Sequence, residues 1–208
     1  MFAAADPASD SSRTPFRDRA QRLAAGRFGM WLLLLSLSML FGASLIAFLV
    51  IRLQLADVWP SEIISLPTGL WASTIVLLLS SATMEAAVRS AHRGSSGWVI
   101  AGLAGTFVLG LLFLAVQVQC WLVALAELRL VWFELGADRL AATGFYVFSG
   151  VHGLHVIGGL IPMAVITVRA IGRHYGPGNC GGVQFIAMYW HFLGGVWIVL
   201  FTTLLLGM

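Results

Sequence analysis

GFYVFSGVHGLHVIGGLIPMAVITVRA, Gly144 to Ala170, is the stretch that decides how the chain is read. A helix of about 20 apolar residues at ~1.5 Å each crosses the hydrocarbon core of a bilayer, and this stretch is long enough. His152 and His155 lie near its middle, among Gly144, Ser149, Gly150, Gly153, Gly158 and Gly159. Small residues let other helices approach closely. An imidazole at that depth needs a partner, because an unsatisfied polar group in hydrocarbon costs several kcal/mol. The segment therefore faces protein, and its neighbours must answer the histidines.

Composition agrees. Of 208 residues, 59% are hydrophobic and only 10% charged, against about 25% charged in a soluble domain. The reading is an all-α integral membrane bundle, with no room for a second folded domain. Twelve arginines and no lysine carry the positive charge, so position matters more than the net sum. Cys120 and Cys180 form no C-x-x-C or Cys/His cluster, which speaks against a disulfide or zinc framework.

Five spans are predicted, from about Phe28 to Ile51, Leu66 to Val88, Trp98 to Ala126, Gly144 to Ala170 and Val183 to Leu206. Ser65 is the expected N-cap of the second, with Pro67 in its first turn. The third is longer than a perpendicular crossing requires, so it tilts or protrudes. Pro162 is expected to kink the fourth. Glu127–Gly136 alternates charge with bulky apolar residues and reads as an interfacial helix, Trp132 and Phe133 at headgroup level. Residues 1–27 form a polar, arginine-bearing tail and 28–208 the membrane domain. Within the tail, Pro15–Ala25 reads either as a short surface helix or as part of a solvated cytoplasmic segment. The first apolar stretch is too long for a signal peptide and lacks a small-residue cleavage pattern.

Loop 89–97 carries Arg89 and Arg93 without an acid, and loop 169–182 carries Arg169 and Arg173 without one. The opposite loops hold Asp57, Glu62, Glu127, Glu134 and Asp138 against Arg52, Arg129 and Arg139. The positive-inside rule then puts the N-terminus in the cytoplasm and Met208 outside.

Counting ~1.5 Å per residue inward from each end brings His152 (~16 Å) and His191 (~12 Å) to similar depth. Three readings of the histidines stand. Ligation of haem or metal is one, since His152 and His155 share a helix face. No inward acid accompanies them, as a di-metal carboxylate site would need. A proton or solute path is the second. The only acid within an apolar span is Glu85, which has Arg89 four residues on and reads as an ion pair. The third is structural: hydrogen bonds across helices, with Tyr189 and Trp190 supplying a hydroxyl and ring packing beside His191. Gln117 and Gln119 read as inter-helix hydrogen-bonding groups. Arg89, Arg93, Arg169, Arg173 and His174 either bind anionic lipid headgroups or simply fix topology.

The residues also carry a resemblance. FYVFSGVHGLHVIGGL, with Phe145, Gly150, His152, Gly153, His155 and Val156, and YWHFLGGVW, with Tyr189, Trp190, His191 and Phe192, resemble the two signature segments of subunit III of the haem-copper respiratory oxidases. GMWLLLLSLSMLFG and LPTGLWASTIVLLLSSAT are similar to the first two spans of its short, five-span bacterial form. The resemblance covers essentially everything after residue 27. It implies a non-catalytic accessory subunit in a bacterial cytoplasmic (inner) membrane, beside a catalytic subunit I that carries haem and copper and reduces oxygen to water. It further implies bound phospholipid, structural histidines, and no catalytic residue, metal or cofactor in this chain. A haem-carrying membrane cytochrome is the alternative from another class. A subunit III-like protein associated with nitric oxide reductase is a variant of the same family.

Three departures stand out. Where the family usually has an acid in a Ser-Glu-x-Met element, this chain has Leu37. Near the start of the second span, where an acid is usual, it offers Ser65, Thr68 and Ser73. Where an Asp usually follows Trp-His-Phe-x, it has Gly194. These departures weigh against a carboxylate-dependent role, such as assisting proton uptake, and against any lipid contact that those acids support.

Overall fold

The computed structural model describes residues 19–55, 68–131, 137–172 and 181–207. They form five helices: α1 (Arg19–Gln54), α2 (Gly69–His92), α3 (Ser96–Val131), α4 (Ala137–Ile171) and α5 (Gly181–Gly207). Each contains a segment long and apolar enough to cross a membrane. The all-helical, five-span expectation is met.

Two boundaries differ from expectation. α1 is continuous from Arg19, so residues 19–25 extend the first span instead of lying apart as a surface helix. Nothing from Ala20 to Ala25 breaks a helix, and Leu23 and Gly26 are held against Gly181 and Phe185 of α5. Likewise Glu127–Val131 continues α3 and does not begin an interfacial helix. Leu, Arg and Glu are good helix formers, so propensity carries the helix past the apolar stretch. Trp132 and Phe133, Ser65, Pro67 and residues 1–18 lie outside the described residues. At 36 residues each, α1 and α3 measure ~54 Å, well beyond a ~30 Å core. α2 opens after Thr68 without a side-chain cap. α4 remains helical on both sides of Pro162.

The tightest pairing is the α2–α3 hairpin. α2 ends in a Schellman turn, in which Ser95 N–H reaches Ser90 O at 3.0 Å and Gly94 N–H reaches Ala91 O at 3.3 Å. Gly94 takes the left-handed position at φ 73° that its missing Cβ permits. Beyond the turn, buried residues of α2 alternate three and four apart: Leu70, Ser73, Leu77, Ser80, Met84, Ala87, Ala91. α3 answers in the same rhythm, from Val99, Leu103 and Thr106 through Gly110 and Phe113 to Gln117, Cys120 and Ala124. That 3.5-residue period is the seam of a left-handed coiled coil. Small residues bring the backbones close: a Cβ at Gly102 would stand 2.8 Å from Ala87 Cβ and 2.9 Å from Thr83 O. One turn along, the Thr83 and Thr106 hydroxyls meet at 2.9 Å.

α5 packs against α2, α4 and α1, and α4 packs on α3. Its buried stripe runs through Val183, Ile186, Trp190, Leu193, Trp197, Leu200 and Leu204. α1 packs chiefly on α5 and reaches α4 through rings, Phe48 lying edge-on to Phe148 with centroids 5.3 Å apart.

Candidate functional site

The signature segments of α4 and α5 meet in the interior. His152 is fully buried. Its imidazole lies against Phe41 of α1 (centroids 6.3 Å), Phe113 of α3 (5.8 Å) and Trp197 of α5 (5.0 Å). Rings from three other helices thus close on one side chain. Neither ring nitrogen has a hydrogen-bond partner, and neither has the side-chain amide of buried Gln117, one turn beyond Phe113 on α3.

His155, one turn on, is anchored to its own helix, Nδ1 lying 2.7 Å from Val151 O. Tyr189 donates its hydroxyl to His155 O at 2.9 Å. The tyrosine ring lies over Gly159, where a Cβ would stand 2.7 Å from it. Trp190 crosses to α2 and donates Nε1–H to Ser80 Oγ at 3.0 Å. Trp197 makes the equivalent bond to Thr74 Oγ1 at 3.0 Å, and Trp121 of α3 donates to Ser149 Oγ of α4 at 2.8 Å. Indole N–H groups therefore tie the helices through hydroxyls, each burying a large ring and satisfying its single polar atom.

His191 is not part of this centre. It faces outward with its side chain 40% exposed, Nε2 lying 3.8 Å from Glu85 Oε2, while the expected ion pair places Glu85 Oε1 2.8 Å from Arg89 Nε. The expected approach of His152 and His191 is overturned. Trp197, six residues and ~9 Å beyond His191, is what reaches His152. Depth counted from span ends assumed flush helices, whereas ring packing sets the actual register. Tyr189 and Trp190 accordingly serve α4 and α2, not His191. Gln117 finds no partner, and Gln119 is exposed, so neither fulfils the expected cross-helix bond. The histidines do not converge on a common ligand position, and among the described residues no three of His, Cys, Asp and Glu gather as a metal site.

Two clefts flank the centre. One, of about 580 Å³ between α2 and α3, is of mixed polarity and is lined by residues that include Glu85, Arg89, Ser90, Arg93, Ser95 and Trp98. Two of the candidate lipid-binding arginines thus share a cleft. Arg169 is exposed in the last turn of α4, and Arg173 and His174 lie outside the described residues. The other, of about 410 Å³, is apolar and runs between α1, α4 and α5, lined by residues that include Leu33, Leu37, His155, Gly158, Pro162 and Tyr189. Leu37, where the resembling family usually has an acid, is nearly buried and faces the same groove as His155.

Five helices long and apolar enough to cross a membrane, joined to one another through rings and hydroxyls, define an all-helical protein of the multi-pass membrane class. The sequence model described as cytochrome c oxidase subunit III matches residues 18–206, and the chain belongs to that family. It is 35% identical over 182 residues to cytochrome bo(3) ubiquinol oxidase subunit 3 of Pseudomonas aeruginosa, covering 86% of this chain and 83% of that one. It is 32% identical to the probable cytochrome c oxidase subunit 3 of Mycobacterium tuberculosis, covering 93% and 92%. Cytochrome c oxidase subunit 3 of Danio rerio is 32% identical over 73% of this chain, a match spanning 56% of the fish protein.

Proposed function

We propose that this chain is a non-catalytic accessory subunit of a bacterial haem-copper terminal oxidase, set in the cytoplasmic membrane with its N-terminus inside. Haem and copper belong to the catalytic subunit it supports. One observation carries the reading: the signature side chains make joints between helices. Tyr189 ties α5 to α4, and Trp190 ties α5 to α2. His152 fills a ring-lined core position. Groups committed to such joints hold a shape that a larger partner can rest against. The haem-cytochrome alternative lacks support, because His152 and His191 do not face one another. Anionic phospholipid is assigned to the arginine-bearing end, with Arg89 and Arg93 in the α2–α3 cleft, Arg169 in the last turn of α4, and Arg173 and His174 a few residues on in sequence.

The test is co-purification with identification of the partner chains, followed by removal of this subunit. Haem and copper content of the remaining complex is expected to stay intact, and initial turnover near normal, while activity decays sooner. Loss of a haem band on removing this chain alone overturns the reading. For the lipid, Arg169→Gln with Arg173→Gln is expected to deplete phospholipid from the complex and loosen the subunit. Unchanged lipid content and retention reduce the arginines to topology signals.

A further inference from the structure

Two side chains in the middle of the bundle have no hydrogen-bond partner for any polar atom among the described residues: His152, through Nδ1 and Nε2, and Gln117, through Nε2 and Oε1. They share one place. Contacts between α3 and α4 pair Gly110 with Leu160, Phe113 with His152 and Trp121 with Ser149, so the two helices run antiparallel. Gln117 lies midway between Phe113 and Trp121, four residues from each on one helix face. Its level on α4 therefore falls between His152 and Ser149. Gly153, beside His152, agrees: a Cβ there would meet Trp121 Cη2 at 3.7 Å and Leu114 Cδ2 at 3.8 Å, the residues that flank Gln117 on that face. The amide and the imidazole thus look into the same interval between α3 and α4 without bonding to one another.

Burial decides what can serve them. His152 is 0% exposed and Gln117 1%, so lipid and any residue of a neighbouring subunit are shut out. Native interiors leave few such atoms unpaired, because an unbonded buried amide or imidazole forfeits its hydration for nothing. A metal ion would find only two neutral ligands, and no third His, Cys, Asp or Glu joins them among the described residues. Water is small enough, and it both donates and accepts. It therefore serves whichever ring nitrogen carries the proton and whichever way the amide is turned. A buried water is typically held by about three hydrogen bonds. Gln117 and His152 supply two, and Ser149 Oγ, one turn from His152 on α4, has a lone pair beyond the one that accepts Trp121 Nε1–H. We propose that the bundle encloses a bound water that bridges Gln117 of α3 and His152 of α4. This is a wet joint among the direct indole–hydroxyl joints of the other helix pairs. The inference rests on atoms of this chain and stands without the accessory reading.

The experiment uses the full chain in phospholipid nanodiscs, with the side-chain nitrogens of histidine and glutamine labelled with 15N. Solid-state NMR reads magnetisation passed from water to those nitrogens, and His152→Phe identifies the His152 signals. The wild type is expected to show transfer from water to both the His152 ring and the Gln117 amide. In Gln117→Met the transfer to His152 is expected to vanish, while the other histidines keep theirs. Absence of transfer to His152 in the wild type overturns the proposal, and that comparison needs no variant to fold. A direct nitrogen-to-nitrogen correlation between Gln117 and His152 overturns it too, since the two would then bond without water. So does transfer to His152 that survives Gln117→Met. Unfolding in mixed micelles gives a second, independent sign. If water bridges the pair, Gln117→Met strands His152 and lowers the folded-to-unfolded ratio by about fivefold or more. If the two groups are simply orphans, the same change removes an unpaired amide and raises the ratio, which refutes the bridge.

Discussion

Gly102→Ala is the sharpest probe of the α2–α3 seam. The added methyl would stand 2.8 Å from Ala87 Cβ, 2.9 Å from Thr83 O and 3.0 Å from Ala87 Cα. Two of these are main-chain atoms and the third is a Cβ, so no rotamer change relieves them and the helices must separate. Overpacking of this kind costs about 1–3 kcal/mol. Separation also stretches the Thr83–Thr106 bond, about 0.6 kcal/mol for a cross-helix pair. Replacing glycine in a helix interior returns about 0.5–1 kcal/mol. The net expectation is a loss of about 0.6–3 kcal/mol. Gly105→Ala, on the same helix, meets only the Thr83 side chain, Cγ2 at 3.8 Å and Cβ at 3.9 Å, and keeps the helix-propensity gain, so its sign is reversed. Equilibrium unfolding in mixed micelles, followed by tryptophan fluorescence, measures both. If Gly102→Ala is as stable as Gly105→Ala, the close-packed seam is refuted.

A double-mutant cycle of Trp190→Phe and Ser80→Ala is expected to give a coupling of about 0.6 kcal/mol, up to about 1.7; zero coupling removes the indole–hydroxyl joint from the account. His152→Ala leaves a cavity among Phe41, Phe113 and Trp197 and is expected to cost about 2–4 kcal/mol. His191→Ala, half-exposed, should stay within about 0.5 kcal/mol. The reverse order in the same unfolding assay would show that the histidines exchange roles. A cysteine introduced at Ser95 is expected to react only with membrane-permeant thiol reagents; labelling from outside the cell inverts the topology.

The five spans were legible because apolar runs of crossing length are a strong signal and the arginines cluster in alternate loops. The joints were harder to read. Depth alone pairs His191 with His152, yet α5 carries its own answer. Val183, Ile186, Trp190, Leu193, Trp197, Leu200 and Leu204 recur three and four apart, and His191, next to Trp190, falls about 100° round the helix from that stripe. The seam was also present in the string, since Ser73, Ser80 and Ala87 recur every seven residues of α2. Hydrophobicity hides it: in a span apolar on every side, the buried face is marked by small and hydroxyl residues, not by leucine. Which serine receives which tryptophan depends on the register between distant helices, and no local pattern encodes that. The continuity of α1 back to Arg19 and of α3 out to Val131 reflects propensity acting where hydropathy had ended.

The hairpin bears on how the chain is made. α2 and α3 are joined by the short turn at Gly94, and their contacts are near-neighbours in sequence, the kind that forms fastest. They can zip together while the rest of the chain is still emerging from the ribosome. α1 is synthesised before either, but the helix it chiefly packs on is α5, which is made after both. The packing of α1 is therefore completed only once α5 has been made. In the interval its broad apolar flank lies open to lipid or to whatever membrane protein is being assembled beside it.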